Sequence, residues 1–374
     1  MSCERVRIGL AILAVSSGWL HGCGTRTPNL ANPPDGGSEN ASEGPRLLAT
    51  GQHSPWAIAI DDKNVYWFNL GTNNSVGKVF GGWTDGEVMR CNIEGCGNRP
   101  MSLASGRDQA SVDTPLAFAA NGGEVFWSDT TPVGNVITGH ILSCSVLGCA
   151  NAPRVVSARG GRSLAVGGAR VFWTEFSADV SDCPVSGCSA PAALWSAGDN
   201  PQSVGIAVDA SGVYWSTTAG EIMRCDLAGC GRTPTIVMSS GAKIPAVKEL
   251  AVDANNVYFT DANPAGLGQI LACAKTGCDN QPTVIASGLN APTAIATDGV
   301  DVYWAEVGVN VLDGQAVVDA GLVRKCAVGG CSNAPTTVAS GLNMPTAVAV
   351  DGGHVYWAEA GSEAATGQVW VAAK

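Results

Sequence analysis

The chain contains few of the residues that usually carry catalysis or bind nucleic acids. Of its 374 residues only four are histidines, and charged residues make up 14%. Acidic residues outnumber basic ones by 32 to 21, so the formal net charge is −11. A negative surface repels phosphate backbones, which disfavours nucleic-acid binding. Phosphate loops, G-x-S-x-G elbows and HExxH motifs are missing, which excludes the enzyme classes that depend on them.

The sequence also has no hydrophobic run long enough to form a transmembrane helix. Its most apolar stretch, Ile8–Val15, follows two arginines and precedes Leu20-His21-Gly22-Cys23. This arrangement resembles the signal peptide and lipobox of bacterial lipoprotein precursors. The resemblance implies cleavage after residue 22 and acylation of Cys23, whereas an ordinary secretory signal with a chance cysteine is the alternative.

Residues 24–45 are rich in Pro, Gly, Asn and Ser, as in a flexible tether. Acyl chains on Cys23 would anchor such a tether without a membrane-spanning segment. We therefore predict a lipid-anchored protein of the cell envelope, at the outer membrane and facing either the periplasm or the surface. Contact with the membrane is expected only through the anchor.

Glycine is abundant, at 48 residues, and a repeat dominates the rest of the chain. A Val-aromatic-aromatic tripeptide occurs seven times at intervals of 42 to 60 residues, starting at Val65, Val125, Val171, Val213, Val257, Val302 and Val355. A short run with Ala at its third position precedes each tripeptide, and two further β-type runs follow most of them. One four-stranded blade per repeat predicts an all-β, seven-bladed β-propeller over residues 46–374.

The last repeat and a strand that precedes the first repeat fit together as parts of one blade. The last repeat has strands A, B and C but no strand D, whereas residues 46–51 resemble a strand D with no repeat of its own. We predict that this N-terminal strand completes the seventh blade and covers an otherwise unpaired edge.

The repeats resemble the YWTD propellers of low-density-lipoprotein-receptor-type ectodomains. They share apolar-Ala-Val-Asp, then Val-Tyr-Trp and an acidic residue, then Gly-x-Ile. That family usually has six blades and lacks the cysteine pairs found here. The resemblance implies a structural role for the acidic position, which holds Asp129, Glu175, Asp261, Glu306 and Glu359, with Asn69 and Thr217 in two other repeats.

Twelve cysteines form six Cys-x-x-x-Gly-Cys motifs, one in each of the first six repeats. The motifs pair Cys91 with Cys96, Cys144 with Cys149, Cys183 with Cys188, Cys225 with Cys230, Cys273 with Cys278 and Cys326 with Cys331. Each motif brackets a predicted hairpin between strands C and D, a separation that a disulfide spans. Zinc binding is the competing hypothesis, but a tetrahedral thiolate site needs two pairs to converge, and these lie on different blades. We predict six local disulfides, with no metal and no cofactor.

The connections between strands B and C are the least regular part of the repeat. They are long in the first, second, sixth and seventh repeats, which are neighbours around a ring. The first contains Phe80 and Trp83, and the sixth contains Val311 and Leu312 in a predicted hairpin over 309–318. Exposed apolar groups there suit a partner, although the loops could instead pack on each other. Glu249 is a further candidate because it replaces a small residue near the axis, with pairing to Lys248 as the alternative.

These observations predict a binding or scaffolding module rather than an enzyme. The three histidines beyond residue 22, His53, His140 and His354, fall in different parts of their repeats, so we expect no catalytic cluster. The expected partner is a protein or a glycan of the cell envelope. A propeller lyase or lactone hydrolase, and a structural component of envelope assembly, are the alternatives.

Overall fold

The regular structure of the chain consists entirely of β-strands in the part that is described. The computed structural model describes residues 44–73, 83–109, 117–133, 136–175, 179–196, 202–239, 247–261, 268–308, 317–362 and 365–374. Its strands form seven antiparallel sheets, which are the blades of a seven-bladed β-propeller. No helix in these ranges is long and apolar enough to span a membrane.

The strands follow the chain blade by blade, except for the first. Strand β1 (Arg46–Gln52) belongs to blade 7. Blade 1 contains β2 (Pro55–Ile60), β3 (Asn64–Asn69), β4 (Thr72–Asn73), β5 (Trp83–Asn92) and β6 (Met101–Gln109). Blade 2 contains β7 (Phe118–Asn121), β8 (Glu124–Val133), β9 (Val136–Ser145) and β10 (Arg154–Ser157). Blade 3 contains β11 (Gly161–Gly167), β12 (Arg170–Glu175), β13 (Val180–Pro184) and β14 (Ala192–Trp195).

The remaining blades follow the same order. Blade 4 contains β15 (Ser203–Asp209), β16 (Gly212–Thr217), β17 (Glu221–Cys225) and β18 (Thr235–Ser239). Blade 5 contains β19 (Val247–Val252), β20 (Asn256–Asp261), β21 (Gly268–Ala274) and β22 (Thr283–Leu289). Blade 6 contains β23 (Pro292–Thr297), β24 (Asp301–Glu306), β25 (Gly321–Ala327) and β26 (Thr336–Leu342). Blade 7 contains β27 (Pro345–Val350), β28 (His354–Glu359), β29 (Gly367–Ala373) and β1.

The first strand of each repeat, strand A, lies at the axis, and strand D lies at the rim. The seven A strands each contact the A strands of both neighbouring blades, and β27 contacts β2, which closes the ring. Because consecutive strands are antiparallel, the A–B and C–D turns lie on one face and the B–C and D–A connections on the other. We call these the lower face and the upper face.

The predicted closure of the seventh blade is confirmed. Strand β1 pairs antiparallel with β29, with Arg46 opposite Val371 and Gln52 opposite Gly367. Residues from the two ends of the described chain therefore share one sheet, and β1 occupies the strand D position.

The hydrophobic core is divided into seven clusters, one between each pair of adjacent blades. The first aromatic residue of the repeated tripeptide faces the following blade, and the second faces the preceding blade. Thus Tyr66 packs against blade 2 and Trp67 against blade 7. The repeated alanine of strand A, such as Ala207 or Ala251, also lies in these clusters. Both faces of each blade are buried, which is why strand B carries a run of apolar residues instead of an alternating pattern.

Candidate binding surfaces

Within the described residues, the upper face is uneven because strands of blades 1 and 2 are longer than those of the other blades. In blade 2, β8 and β9 continue as a ladder for four residue pairs past Asp129, to Val133 opposite Val136. These two strands have 10 residues each, whereas strand C has 5 in blades 3 and 4. The long B–C connection expected for blade 2 is therefore largely a regular two-stranded projection.

Blade 1 forms a second projection beside the first. Strand β5 begins at Trp83, whose backbone lies between Asn73 of β4 and Gln109 of β6. The sequence predicts Trp83 in the B–C connection, but in the structure Trp83 is the first residue of strand C of blade 1. Phe80 lies outside the described residues.

The B–C connection of blade 6 is closed at its base. The Val317 N–H donates to the Gly308 carbonyl oxygen at 2.8 Å. Val317 and Val318 are 42% and 57% exposed, so apolar surface does reach solvent at this point. Residues 309–316 of the predicted hairpin, with Val311 and Leu312, lie outside the described residues, and Val317 and Val318 are not part of a strand.

Glu249 lies in β19, the strand A of blade 5, near the axis. Its backbone N–H donates to the Thr260 hydroxyl at 3.2 Å, at an irregularity between Val247 and Leu250. The same bond joins Ser163 to Thr174 and Gly205 to Ser216 in the two preceding blades. This backbone bond belongs to the shared framework and does not distinguish Glu249 from its counterparts.

The acidic position after the aromatic tripeptide has a structural role in blades 6 and 7. Glu306 accepts the Trp304 indole N–H at 3.0 Å and the Asn290 backbone N–H at 2.8 Å. Glu359 accepts the Asn343 N–H at 2.8 Å in the same way. Burial raises the pKa of Glu359, although the Asn343 and Trp357 N–H groups favour its ionised form. These carboxylates hold the D–A connections against strand B.

On the lower face, an aspartate at the end of strand A is bonded to a tyrosine of strand B. The Tyr66 hydroxyl donates to Asp61 at 2.6 Å, and Tyr258 and Tyr356 donate to Asp253 and Asp351 at 2.7 Å. Burial and the adjacent carboxylate raise the pKa of Tyr66. In blades 2 and 3 the tyrosine is replaced by Phe126 and Phe172, and no aspartate ends strand A. The joint loss of the tyrosine and the aspartate in these two repeats is a signal of the pairing that can be read in the sequence.

The six predicted disulfides are confirmed, each within its own C–D hairpin on the lower face. They join Cys91 to Cys96, Cys144 to Cys149, Cys183 to Cys188, Cys225 to Cys230, Cys273 to Cys278 and Cys326 to Cys331. The Cα atoms within a pair are 5.3–5.8 Å apart. The motif glycine has a positive φ of 94–114° in all six hairpins, a conformation that favours glycine.

The two cysteines of each disulfide differ in burial, which the sequence did not predict. The first cysteine is the last or next-to-last residue of strand C and is buried, at 0–3% exposure in all six pairs. The second cysteine is only partly buried and packs against the cluster that its blade shares with the preceding one. These second cysteines are Cys96, Cys149, Cys188, Cys230, Cys278 and Cys331. The disulfides therefore contact the preceding blade as well as closing the hairpins of their own blades.

The three histidines of the described chain lie in different elements of the fold. His53 precedes β2, His140 lies in β9 and His354 begins β28 beside Asp351. Among the described residues, no group of three or more His, Cys, Asp or Glu side chains is arranged to hold a metal ion.

The fold defines the chain as a β-propeller, and comparison with solved structures agrees. A computationally designed protein, Ika8, shares 16% identity and a TM-score of 0.52, covering 88% of this chain and 98% of its own. The WD40 propeller domain of Doa1 shares 10% identity and a TM-score of 0.56, covering 88% and 97%. At these identities the likeness concerns the fold alone.

Sequence comparison gives no closer assignment. No family model matches the chain, and no curated protein matches it either. The YWTD resemblance and the lipobox therefore rest on the residues quoted above.

Proposed function

We propose that the chain is a binding or scaffolding module of the cell envelope, anchored by lipid at Cys23, that recognises a protein or glycan through its upper face. Propellers commonly bind or scaffold proteins, which is consistent with a protein partner. The proposed function is not catalytic. The same proposal includes a relation of the seven repeats to YWTD repeats and of the N-terminal segment to bacterial lipoprotein precursors.

The projection of blades 1 and 2 is the observation that carries this proposal. A ring of equivalent blades needs only short B–C connections, such as that of blade 4, where Thr217 and Glu221 flank a tight turn. Two adjacent blades instead extend strands above the ring, and exposed Val317 and Val318 lie at the base of the blade 6 connection. Binding residues commonly lie on such extensions of a rigid scaffold.

Two substitutions test the upper face. Trp83→Ala and Leu312→Asp are expected to weaken capture of envelope proteins or glycans at least tenfold, with little change in melting temperature. Val284→Arg is the control, because Val284 is 51% exposed but lies on the outer edge of blade 5. Loss of stability with binding intact would show that these residues only pack the loops.

Anchoring is tested separately. Cys23→Ser should abolish incorporation of labelled fatty acid and release the protein from the membrane fraction. Continued membrane association of this variant without label would contradict lipidation while leaving the proposed binding face untouched.

A further inference from the structure

The outer strand of every blade presents backbone groups that its own blade does not pair. Such an edge is open to pairing with another chain unless something covers it. In this propeller the cover comes from the next blade. The disulfide hairpin of each of blades 1 to 6 lies over strand D of the blade before it, with a sulfur atom 3.5–3.9 Å from a strand D carbonyl oxygen.

Four hairpins add a hydrogen bond to this contact. The residue two positions after the second cysteine is an asparagine whose Oδ1 accepts a strand D N–H at 2.7–2.8 Å. The pairs are Asn98 with Thr50, Asn151 with Ser105, Asn280 with Ser239 and Asn333 with Ser287. All four asparagines have a positive φ of 57–60°. In four places, therefore, an asparagine side-chain oxygen accepts the outward N–H of a strand D edge.

The same hairpins bury an apolar residue of strand D. Leu48, Leu103, Val156, Leu194, Val237 and Ile285 are 1–6% exposed. Each belongs to an inter-blade cluster that also contains a disulfide of the following blade.

Blade 6 is the exception. The blade that follows it is blade 7, whose strands C and D are β29 and β1, from distant parts of the sequence. No hairpin joins these two strands, and the cluster between blades 6 and 7 contains Trp370 where the others contain a disulfide. Val338, the counterpart of Ile285, is only half-buried, and Ser340 is exposed.

A groove of about 430 Å³ lies at this position. Its lining includes Val338–Leu342 of β26, Pro45 and Trp370. Ser340 pairs with Leu322 in blade 6, as Ser287 pairs with Gln269 in blade 5. The Ser287 N–H points away from its own blade, towards Asn333. Because Ser340 has the same position in its ladder, its N–H also points away from its own blade. In the described part of the chain no group accepts a bond from this N–H.

Trp370 forms a fixed apolar wall opposite the edge. Its ring is stacked on Trp357, with centroids 6.2 Å apart and planes 8° from parallel. Its indole N–H donates to the Gln368 side chain at 3.1 Å, which holds the ring in place. The residues at the same register position in blades 1, 5 and 6 are Met89, Leu271 and Arg324.

We propose that this groove binds a turn-forming polypeptide segment of a partner protein. The segment presents an asparagine or aspartate side-chain oxygen to the Ser340 N–H and an apolar group to Val338 and Trp370. A polypeptide fits better than a sugar because the unpaired groups are those of a strand edge, which main-chain partners recognise. In the six equivalent grooves the covering group is a polypeptide turn.

Hydrogen exchange tests the first half of this proposal. In the protein alone, the amides of residues 337–342 are expected to exchange at least tenfold faster than those of residues 284–289, the matching segment of blade 5. Equal, slow exchange would show that the groove is already covered by the chain itself and would overturn the proposal.

Binding of a defined probe tests the second half. The probe is an oxidised synthetic peptide with the sequence of residues 326–336, CAVGGCSNAPT. It should bind, slow exchange at residues 337–342 and change Trp370 fluorescence. A probe in which the asparagine is replaced by alanine should bind at least tenfold more weakly.

Protein variants locate the site. Val338→Arg should weaken probe binding at least tenfold, whereas Val284→Arg, on the covered edge of blade 5, should not. Binding unaffected by Val338→Arg overturns the assignment, and so does binding of an oligosaccharide in place of the peptide. Val338 and Ser340 lie on strand D of blade 6 and not on the extended strands of blades 1 and 2, so either proposal can fail without the other.

Discussion

At the residue scale, two side-chain arrangements explain most of the repeated sequence. The motif glycine allows the C–D turn, in which, for example, the Gly330 N–H donates to the Ala327 carbonyl at 2.8 Å. The aspartate that ends strand A accepts two backbone N–H groups of the A–B turn, as Asp351 does from Gly353 and His354 at 2.7 Å. Both arrangements are local, so each repeat forms them independently of its neighbours.

Two adjacent glycines of one C–D turn differ in backbone conformation, so substituting each of them tests whether the positive φ requires glycine. Gly330 has a φ of +94°, whereas Gly329 has no positive φ and no neighbouring atom within 4 Å of an added Cβ. Gly330→Ala should lower the free energy of unfolding by about 1–2 kcal/mol. Gly329→Ala should be neutral or slightly stabilising because it reduces the entropy of the unfolded chain. Chemical denaturation measures both, and equal effects would refute the argument.

Asp298 predicts a pH dependence of stability. Burial tends to raise its pKa, but the Asp301 and Val300 N–H groups and Lys374 hold it at about 2, below the ordinary value of 3.8. A depressed carboxyl pKa stabilises the fold above the ordinary value, and this stabilisation disappears as the pH falls through the folded-state pKa. The contribution should therefore be complete at pH 6 and lost between about pH 4 and pH 2.

Comparison with Asp298→Asn isolates this contribution. Wild type should exceed the variant in stability at pH 6, and the difference should shrink towards zero near pH 2. Asp62→Asn, at an exposed position in an A–B turn, should show no such convergence. The comparison is needed because burial raises the pKa of Asp261 and Glu359. A raised carboxyl pKa lowers the stability of the fold as the pH rises, which is opposite to the effect of Asp298. A difference that does not vary with pH would contradict the assignment.

At the scale of single elements, the disulfide hairpins connect blades as well as closing their own turns. Their sulfur atoms and asparagines lie against strand D of the preceding blade, as Asn280 does on Ser239. In blade 4, Arg232 replaces the asparagine, and a groove of about 480 Å³ lies beside β14. The asparagine bond is therefore not shared by all six hairpins, since blade 3 has Ala190 and blade 4 has Arg232 at this position.

Removal of one disulfide should loosen the preceding blade more than its own. Replacing Cys273 and Cys278 by Ser should cost about 2 kcal/mol, since the closed loop is short. Hydrogen exchange should rise in β18 of blade 4, where Cys273 Sγ lies 3.8 Å from the Val237 carbonyl oxygen. Asn280→Ala should raise exchange at Ser239 with the disulfide intact. Faster exchange confined to β21 and β22 would show that the hairpin acts only within blade 5.

At the scale of the whole molecule, the ring is held closed by β1. This strand pairs with β29 and is covered by the hairpin of blade 1, where the Arg46 guanidinium donates to the Ile93 and Glu94 carbonyl oxygens at 2.9 and 3.2 Å. Leu48 is 2% exposed within the cluster between blades 7 and 1. One seven-residue strand thus links the last blade to the first.

Two neighbouring leucines of β1 test this closure. Leu48→Ala should cost about 2–4 kcal/mol because it opens a cavity in the cluster. Leu47→Ala should cost less than about 0.5 kcal/mol because Leu47 is 39% exposed. Thermal unfolding measures both, and equal losses would show that β1 does not pack as a closing strand. Deletion of residues 44–52 should destabilise the propeller far more than either substitution.

Most of the architecture could be predicted from the sequence because each repeat encodes its own strands and turns. The seven Val-aromatic-aromatic runs, the cysteine pairs and the unmatched strand D all correspond to elements in the structure. The candidate site was less predictable. Trp83 begins a strand and not a loop, while Phe80, Val311 and Leu312 stay predictions because they lie outside the described residues.

By itself, the sequence determined the number of blades, the strand order within each blade and the partners of the disulfides, because these depend on contacts between residues near one another in the chain or on a repeated pattern. Only the tertiary structure decided how each hairpin meets the preceding blade. The bond from Thr50 to Asn98 spans 48 residues, and nothing local specifies it. The open edge of β26 also appears only once the ring is assembled. Blade 7 lacks a C–D hairpin because its two outer strands come from distant parts of the sequence. The strand before it therefore keeps an N–H that an asparagine accepts on four of the other edges.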